Sequence, residues 1–408
     1  MDYIERALER RFLCMTSLYK VILVTGARHV GKTTMLKHLA EGHRRTYVSL
    51  DNTMARILAK TDPEAFFRTY RPPVIIDEIQ KAPELLPQIK NMCAEPGKNG
   101  MFWLTASHRT KLMKAVQESL GDQIGILELY GLSRKEIAGS LLLKELDLSL
   151  SGLIERQLLL RRGARIDIAE RIWRGGMPAI LQAGRRQRQE YFDLYLETQI
   201  MRDVAEEGGI TDTVRFRKFL NACTTSIAEQ INYKVLADAA EISQPTAKEW
   251  VRILQSAGIL CLFPVYESRQ LKNLTKTPKL YFCDTGLCAY LSMTINKEAL
   301  KCRPDYGRYL ENYVVAGLLK ELACSASNAS LYHYRDFSAR EIDVFLEKDG
   351  VIHPLEIALS PKPDPLLVKK YELLDRAQLA HGNGGIICTC TDPIPIDKKN
   401  CYIPCSLI

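Results

Sequence analysis

Three observations predict an α/β chain: a parallel sheet, then a helical segment, a winged helix and a smaller α/β unit. Short apolar strands alternate with helical patterns over residues 20–130. Polar and acidic residues fall at the carboxyl ends of those strands, the edge where such sheets hold ligands. The character then changes twice more, first to leucine- and arginine-rich helices and a helix-turn-helix, and finally to strands led by acids. The expected units are 1–140, 141–211, 212–270 and 271–408.

Composition sets the outer limits. The chain has 408 residues, 46% hydrophobic and 25% charged, so a sizeable core is expected. The net charge of +8 permits nucleic-acid binding without requiring it. No apolar run reaches the length that spans a bilayer, and the charged start Met1–Arg10 is unlike a signal peptide. A cytoplasmic protein with no membrane partner is expected. The twelve cysteines are expected to be reduced and mostly buried. The basic clusters Arg161-Arg162 and Arg185-Arg186 with Arg188 read as solvated helix faces.

In chain order, residues 1–19 form an amphipathic helix. The stretch Val21 to Thr34 reads as a buried strand, then Gly26-xxxx-Gly31-Lys32-Thr33, then a helix start. That is a phosphate-cradling loop. The glycines let the backbone curl so that successive N–H groups face phosphate oxygens, and the helix adds its positive end. Gly26, Ala27, Arg28, His29, Val30, Gly31, Lys32, Thr33 and Thr34 are the expected nucleotide contacts. Lys32 serves the β- and γ-phosphates, and the Thr33 hydroxyl suits Mg²⁺.

Arg45–Asp51 is a second strand. Pro72–Glu78 is a third, ending in two acids, and this is a Walker B pattern. Asp77 is expected to hold Mg²⁺ together with Thr33, and Glu78 to act as the general base on water. Strands at Met101–Ser107 and Ile124–Leu129 complete five parallel strands.

These stretches resemble a family: prokaryotic AAA-type ATPases that join a P-loop domain, a winged-helix segment and a C-terminal domain of uncharacterised function. The likeness rests on Gly26–Thr34, Leu50-Asp51, Ile75-Ile-Asp-Glu-Ile-Gln-Lys81 and Leu104-Thr-Ala-Ser107, and the family order runs from 20 to about 360. It implies an AAA-like sheet with a helical lid and a polar γ-phosphate sensor at Thr105 or Ser107. Two departures stand out. Ala106-Ser107 replaces the usual Gly-Ser, and Ser119–Gln123 lacks the arginine the family carries there. If that arginine stabilises the leaving phosphate, turnover is slow.

In 131–210, Gly175-Gly-Met-Pro178 resembles the lid element whose proline lies near adenine; its alternative reading is a helix breaker. Arg202 and Asp203, one position apart on a helix, are expected to point in different directions. Residues 236–254 read as a helix-turn-helix within the winged helix. Ser243 is its N-cap, and Gln244, Thr246, Lys248 and Arg252 are the candidate DNA contacts.

Further on, Glu311, Asp343 and Glu356 have the order and spacing of a restriction-endonuclease-like core, where acids gather a metal. That chemistry also needs a lysine two residues after the last acid. Ala358 stands there, with Lys362 beyond it. The fold is therefore expected to be nuclease-like with lost catalysis. Cys388, Cys390, Cys401 and Cys405 invite a zinc reading, against which stand their short spacings and strand context.

The function expected is Mg²⁺-dependent ATP hydrolysis coupled to a conformational or DNA-associated role, with an oligomer possible. The alternatives are a nucleotide-gated DNA-binding regulator with little turnover and an ATP-regulated metal-dependent nuclease.

Overall fold

The computed structural model describes residues 3–408 except 96, 108–109, 142, 161–166, 206–207, 269, 272–273 and 326, and not the side chains of 110, 111 and 117. The Arg161-Arg162 cluster thus lies outside the described residues. By internal packing the chain divides into two units: Met1–Gly131 with Ser256–Gly258, and Leu132–Gln255 with Ile259–Ile408.

The first unit holds α1 (Glu9–Leu18), β1 (Val21–Thr25), α2 (Lys32–Leu39), β2 (Thr46–Ser49), α3 (Thr53–Thr61) and α4 (Pro63–Thr69). It continues with β3 (Val74–Asp77), α5 (Leu85–Ala94), β4 (Phe102–Ala106), α6 (Thr110–Leu120) and β5 (Ile124–Glu128). The five strands form one sheet of order β2-β3-β4-β1-β5, and every pairing is parallel. Strands β1, β3 and β4 are buried throughout, which is why they read as unbroken apolar runs. Leu23, Ile76 and Leu104 from these strands share a core with Phe66 and Leu86 from the helices. Helix starts are marked in the sequence: Asn52 accepts from Ala55 N, and Asp62 from Ala65 N with Pro63 following.

The strand order matters for function. It sets β4 between β1 and β3, so the ends of these three strands meet at one edge. The loop after β1, the acids at the end of β3 and the hydroxyls at the end of β4 are thereby brought together.

The second unit begins with helices. Helix Arg185–Tyr195 runs on into a π-helical stretch, Leu196–Val204. There the expectation for Arg202 and Asp203 fails, because Arg202 Nε bonds Asp203 Oδ1 at 2.9 Å. The π-helical backbone departs from the α-helical spacing on which that expectation rested, and a long arginine side chain reaches its neighbour.

Arg188 also departs from its reading as part of a solvated face. It is 1% exposed, donates to Trp173 O and Gly286 O, and lies over the Trp173 ring. Arg185 and Arg186 do face solvent. Three helices, Thr213–Thr225, Tyr233–Ala240 and Gln244–Ser256, precede a two-stranded antiparallel ribbon of β6 (Leu260–Phe263) and β7 (Lys279–Phe282). The Ser243 hydroxyl accepts from Thr246 N at 3.2 Å, as an N-cap does.

The unit closes with helix Tyr306–Cys324 and strands β8 (Ala329–Arg335), β9 (Glu341–Lys348), β10 (Val351–Ala358), β11 (Gly384–Cys388), β12 (Ile394–Pro395) and β13 (Asn400–Pro404). They make a mixed six-stranded sheet of order β12-β13-β11-β10-β9-β8. Of the twelve cysteines, Cys14 and Cys302 are exposed. Among the described residues, no helix is long and apolar enough to cross a membrane.

Candidate functional site

The loop between β1 and α2 is shaped by residues that its backbone requires. Gly26 has φ +143, and a Cβ there would fall 2.0 Å from Leu129 O. Only glycine fits a backbone approach that close. Gly31 has φ +99 and caps α2 without a side chain, so no side-chain oxygen competes for the first-turn N–H groups. His29 is also left-handed, at φ +65. Ala27 and Val30 are buried against the unit, while His29 and Thr34 are exposed. Arg6, absent from the sequence reading, holds the loop from outside by donating to Val30 O and Tyr130 O at 2.7 Å each.

Lys32 is 4% exposed. Its Nζ donates to Gly26 O at 2.8 Å, Ala27 O at 2.9 Å and Ser107 Oγ at 2.9 Å. Burial pulls the Lys32 ammonium down to about 8, against the opposing pull of the Glu78 and Asp77 carboxylates.

Thr33 Oγ1 donates to Asp77 Oδ1 at 2.7 Å. The same carboxylate receives Thr105 Oγ1 at 2.5 Å and Tyr47 OH at 3.1 Å. Burial and Asp77 push the Tyr47 phenol up to about 12, so it acts as a donor at neutral pH. A hydroxyl and a carboxylate oxygen this close are the hard donors that Mg²⁺ takes, so these residues fit a magnesium ion accompanying a nucleotide.

Glu78 follows β3 in the left-handed region, φ +62, and is not the last strand residue as expected. Its N–H donates to Thr105 Oγ1 at 3.0 Å, which stabilises the turn and aims the side chain away from β3. Glu78 Oε1 receives Ser107 Oγ at 2.7 Å, and Oε2 receives Gln80 Nε2 at 2.5 Å. Burial works to raise the Glu78 carboxyl. Lys32, Ser107, Arg28 and Gln80 together outweigh burial and hold it below the usual range. Glu78 is therefore ionised at neutral pH, the form a general base needs. Both sensor candidates reach the site, Thr105 on Asp77 and Ser107 on Glu78 and Lys32.

The sequence reading missed Gln80 and Tyr47. Gln80 lay inside the Ile75–Lys81 motif, which was the available signal. Pro178 lies in the second unit, where it opens a 3-10 turn after Gly175 ends helix Ile168–Arg174 at φ +81. The neighbouring glycine has a structural reason, since Gly176 N donates to Asp284 Oδ2 at 2.7 Å.

In the second unit, Glu311, Glu341 and Asp343 gather around the Lys279 ammonium. Burial and Asp343 push the Glu311 carboxyl up to about 7 and that of Glu356 up to about 8. The lysine that meets Glu356 is Lys370, at 2.9 Å. Among the described residues, no group of three or more His, Cys, Asp or Glu is arranged to hold a metal.

The parallel sheet and the constellation at its edge fit the class that the sequence led one to expect, an AAA-type P-loop domain. Residues 18–138 match the family model described as an AAA domain. Residues 165–298 and 306–408 match models described as domains of unknown function, DUF8612 and DUF4143. The chain is similar to the uncharacterized proteins Rv2008c of Mycobacterium tuberculosis and Mb2031c of Mycobacterium bovis. Each is 25% identical over 346 residues, 84% of this chain and 71% of the relative. Among solved structures, it resembles the Walker-type ATPase PABY2304 of Pyrococcus abyssi at 14% identity and TM-score 0.45, over 71% of this chain and 96% of that one. It also resembles the RuvB Holliday junction branch migration motor of Thermotoga maritima at 18% identity and TM-score 0.32, over 64% and 90%.

Proposed function

We propose that the first unit binds ATP with Mg²⁺ and hydrolyses it by attack of water on the γ-phosphate. The observation that carries this reading is convergence. Lys32 and Glu78 meet through Ser107, and Thr33 meets Asp77, at one edge of the sheet. The backbone of residues 26–33 and Lys32 hold the phosphates, while Thr33 and Asp77 hold the metal. Bound there, Mg²⁺ neutralises phosphate charge and holds the phosphates in line. Glu78 takes the proton of the attacking water, and Ser107 reports the γ-phosphate to it.

The test is turnover by the purified full chain. Lys32→Ala should abolish nucleotide binding, and Glu78→Gln should bind ATP without hydrolysing it. Wild-type rates in Glu78→Gln would remove the base assignment. A wild-type rate no higher than that of Lys32→Ala would favour a nucleotide-gated switch.

A second role is favoured by one observation on helix Gln244–Ser256, where Gln244 and Lys248 are exposed. Residues 236–254 are then a DNA-contacting surface. Arg252 is tied to Glu249 at 2.8 Å, which lowers its value as a phosphate contact. A mobility shift that weakens steeply with salt tests this role, and loss of the shift in Lys248→Ala locates it.

A further inference from the structure

The loop between β1 and α2 is held at Gly26 by its close approach to Leu129 O, and at Val30 by Arg6. A third contact comes from far along the chain. By internal packing, Ser256–Gly258 belongs to the first unit. A Cβ built on Gly258 would fall 3.0 Å from Ala27 N, 3.3 Å from Ala27 Cβ and 3.4 Å from Ala27 Cα. The Gly258 backbone therefore lies directly against Ala27, which is buried.

Gly258 is also set by the helix before it. It follows helix Gln244–Ser256 in the left-handed region, φ +68, and Ile259 N donates to Leu254 O at 3.0 Å. This is a Schellman ending, in which glycine stands just past the helix. Glycine is thus required twice, by the sign of φ and by the approach to Ala27.

Ala27 matters because its carbonyl is one of three acceptors of Lys32 Nζ, at 2.9 Å, beside Gly26 O and Ser107 Oγ. On the ATP-binding reading, Lys32 turns to the phosphates and Ala27 O loses that donor. Leu129 still holds Gly26 and Arg6 still holds Val30, so Ala27 between them relies on Gly258. We propose that Gly258 is a positioning residue of the phosphate loop, acting through Ala27 on Lys32, so that the end of helix Gln244–Ser256 sets how well the loop holds a nucleotide. The proposal rests on the ATP-binding reading. Linkage makes the effect mutual, and a nucleotide that needs the ordered loop steadies Ser256–Gly258 in return.

The test is amide hydrogen exchange, read by mass spectrometry on the full-length protein without nucleotide, alongside affinity for a fluorescent ATP analogue with Mg²⁺. In Gly258→Ala, exchange over residues 26–31 should accelerate and affinity should fall by about tenfold or more, the scale of an overpacked contact. Gly258→Asn serves if the alanine variant does not fold and should show the same changes. Asparagine tolerates the left-handed cap, so the helix keeps its ending while the added Cβ still meets Ala27. Protection over residues 244–255 should stay at the parent level in that variant, which separates positioning from loss of the fold. In the parent, the analogue should slow exchange over residues 256–259, and in Lys32→Ala it should not. Unchanged exchange over 26–31 in folded Gly258→Asn would overturn the proposal. So would an affinity that stays at the parent's value, or exchange that rises equally over 26–31 and 244–255. A parent that binds no analogue would remove the ATP reading alone, because the nucleotide-free exchange still decides whether Gly258 positions the loop.

Discussion

Ser107 donates to Glu78 Oε1 across 2.7 Å, from the turn after β4 to the residue after β3. The same hydroxyl oxygen accepts from Lys32 Nζ at 2.9 Å. In the proposed reading, the sensor of the γ-phosphate and the base that activates water are therefore joined. On that reading, a phosphate that drew Lys32 or Ser107 away would release Glu78 Oε1. In Ser107→Ala, ATP should still bind, while kcat falls by roughly tenfold or more, the scale of one lost hydrogen bond to a charged group. Parallel binding and turnover measurements check this; an equal loss in both would mean that Ser107 only holds the nucleotide.

Gln80 holds the other oxygen of Glu78. Gln80→Met keeps the volume and removes the donor. Turnover should fall by about tenfold with ATP affinity unchanged, because orientation of the base is lost and no phosphate contact is. An unchanged kcat would show that Ser107 alone suffices to orient Glu78.

Lys32 carries its charge only below about 8 in the free protein, because burial depresses it. Affinity for ATP should therefore decline as pH rises through 8, approaching about tenfold per unit if binding requires the charged form. Lys32→Arg stays charged across this range and should bind with a flat profile. Titration of a fluorescent ATP analogue between pH 6.5 and 9.5 reads both.

Gly26→Ala places a Cβ 2.0 Å from Leu129 O, on backbone held by Leu129 N donating to Thr25 O. The residue also needs φ +143. The loss should be about 3 kcal/mol, from overpacking and backbone strain together. Urea denaturation measures it, and nucleotide binding should fail in the same variant.

His333 is fully buried and stacked on Phe263. Burial, assisted by the Lys279 charge and opposed by Glu341, pulls its imidazole down to about 4. A base with a depressed folded pKa favours the neutral folded form. Its stabilising contribution is complete above the ordinary value of about 6.5 and is lost as pH falls from there to about 4. Glu311 and Glu356 are raised, so their contributions change in the opposite sense, diminishing as pH climbs through about 7 and about 8. The difference between wild type and His333→Phe isolates the histidine. That difference should narrow between pH 6.5 and 4 in urea midpoints, and a constant difference would show that His333 keeps its ordinary titration.

The local structure of this protein was legible in its residues. The five parallel strands follow from apolar runs, and the loop after β1 from glycines at fixed spacing ahead of Lys32 and Thr33. Asp77 and Glu78 follow from a strand that ends in acids. Each of these is set within a few residues, where backbone geometry and burial act directly on the chain. What only the tertiary structure decided are contacts between elements distant in sequence. Ser107 reaches Glu78 because β4 lies beside β3, an adjacency no spacing announces. Arg188 reads as a surface base and is a core residue because Trp173 and Gly286 offer it carbonyls. Lys370 meets Glu356 and Lys279 fills the acid cluster, although the sequence pointed to Ala358 and Lys362. A buried charge is stable only beside its partner, and which partner arrives is settled by packing after the strands and helices are formed.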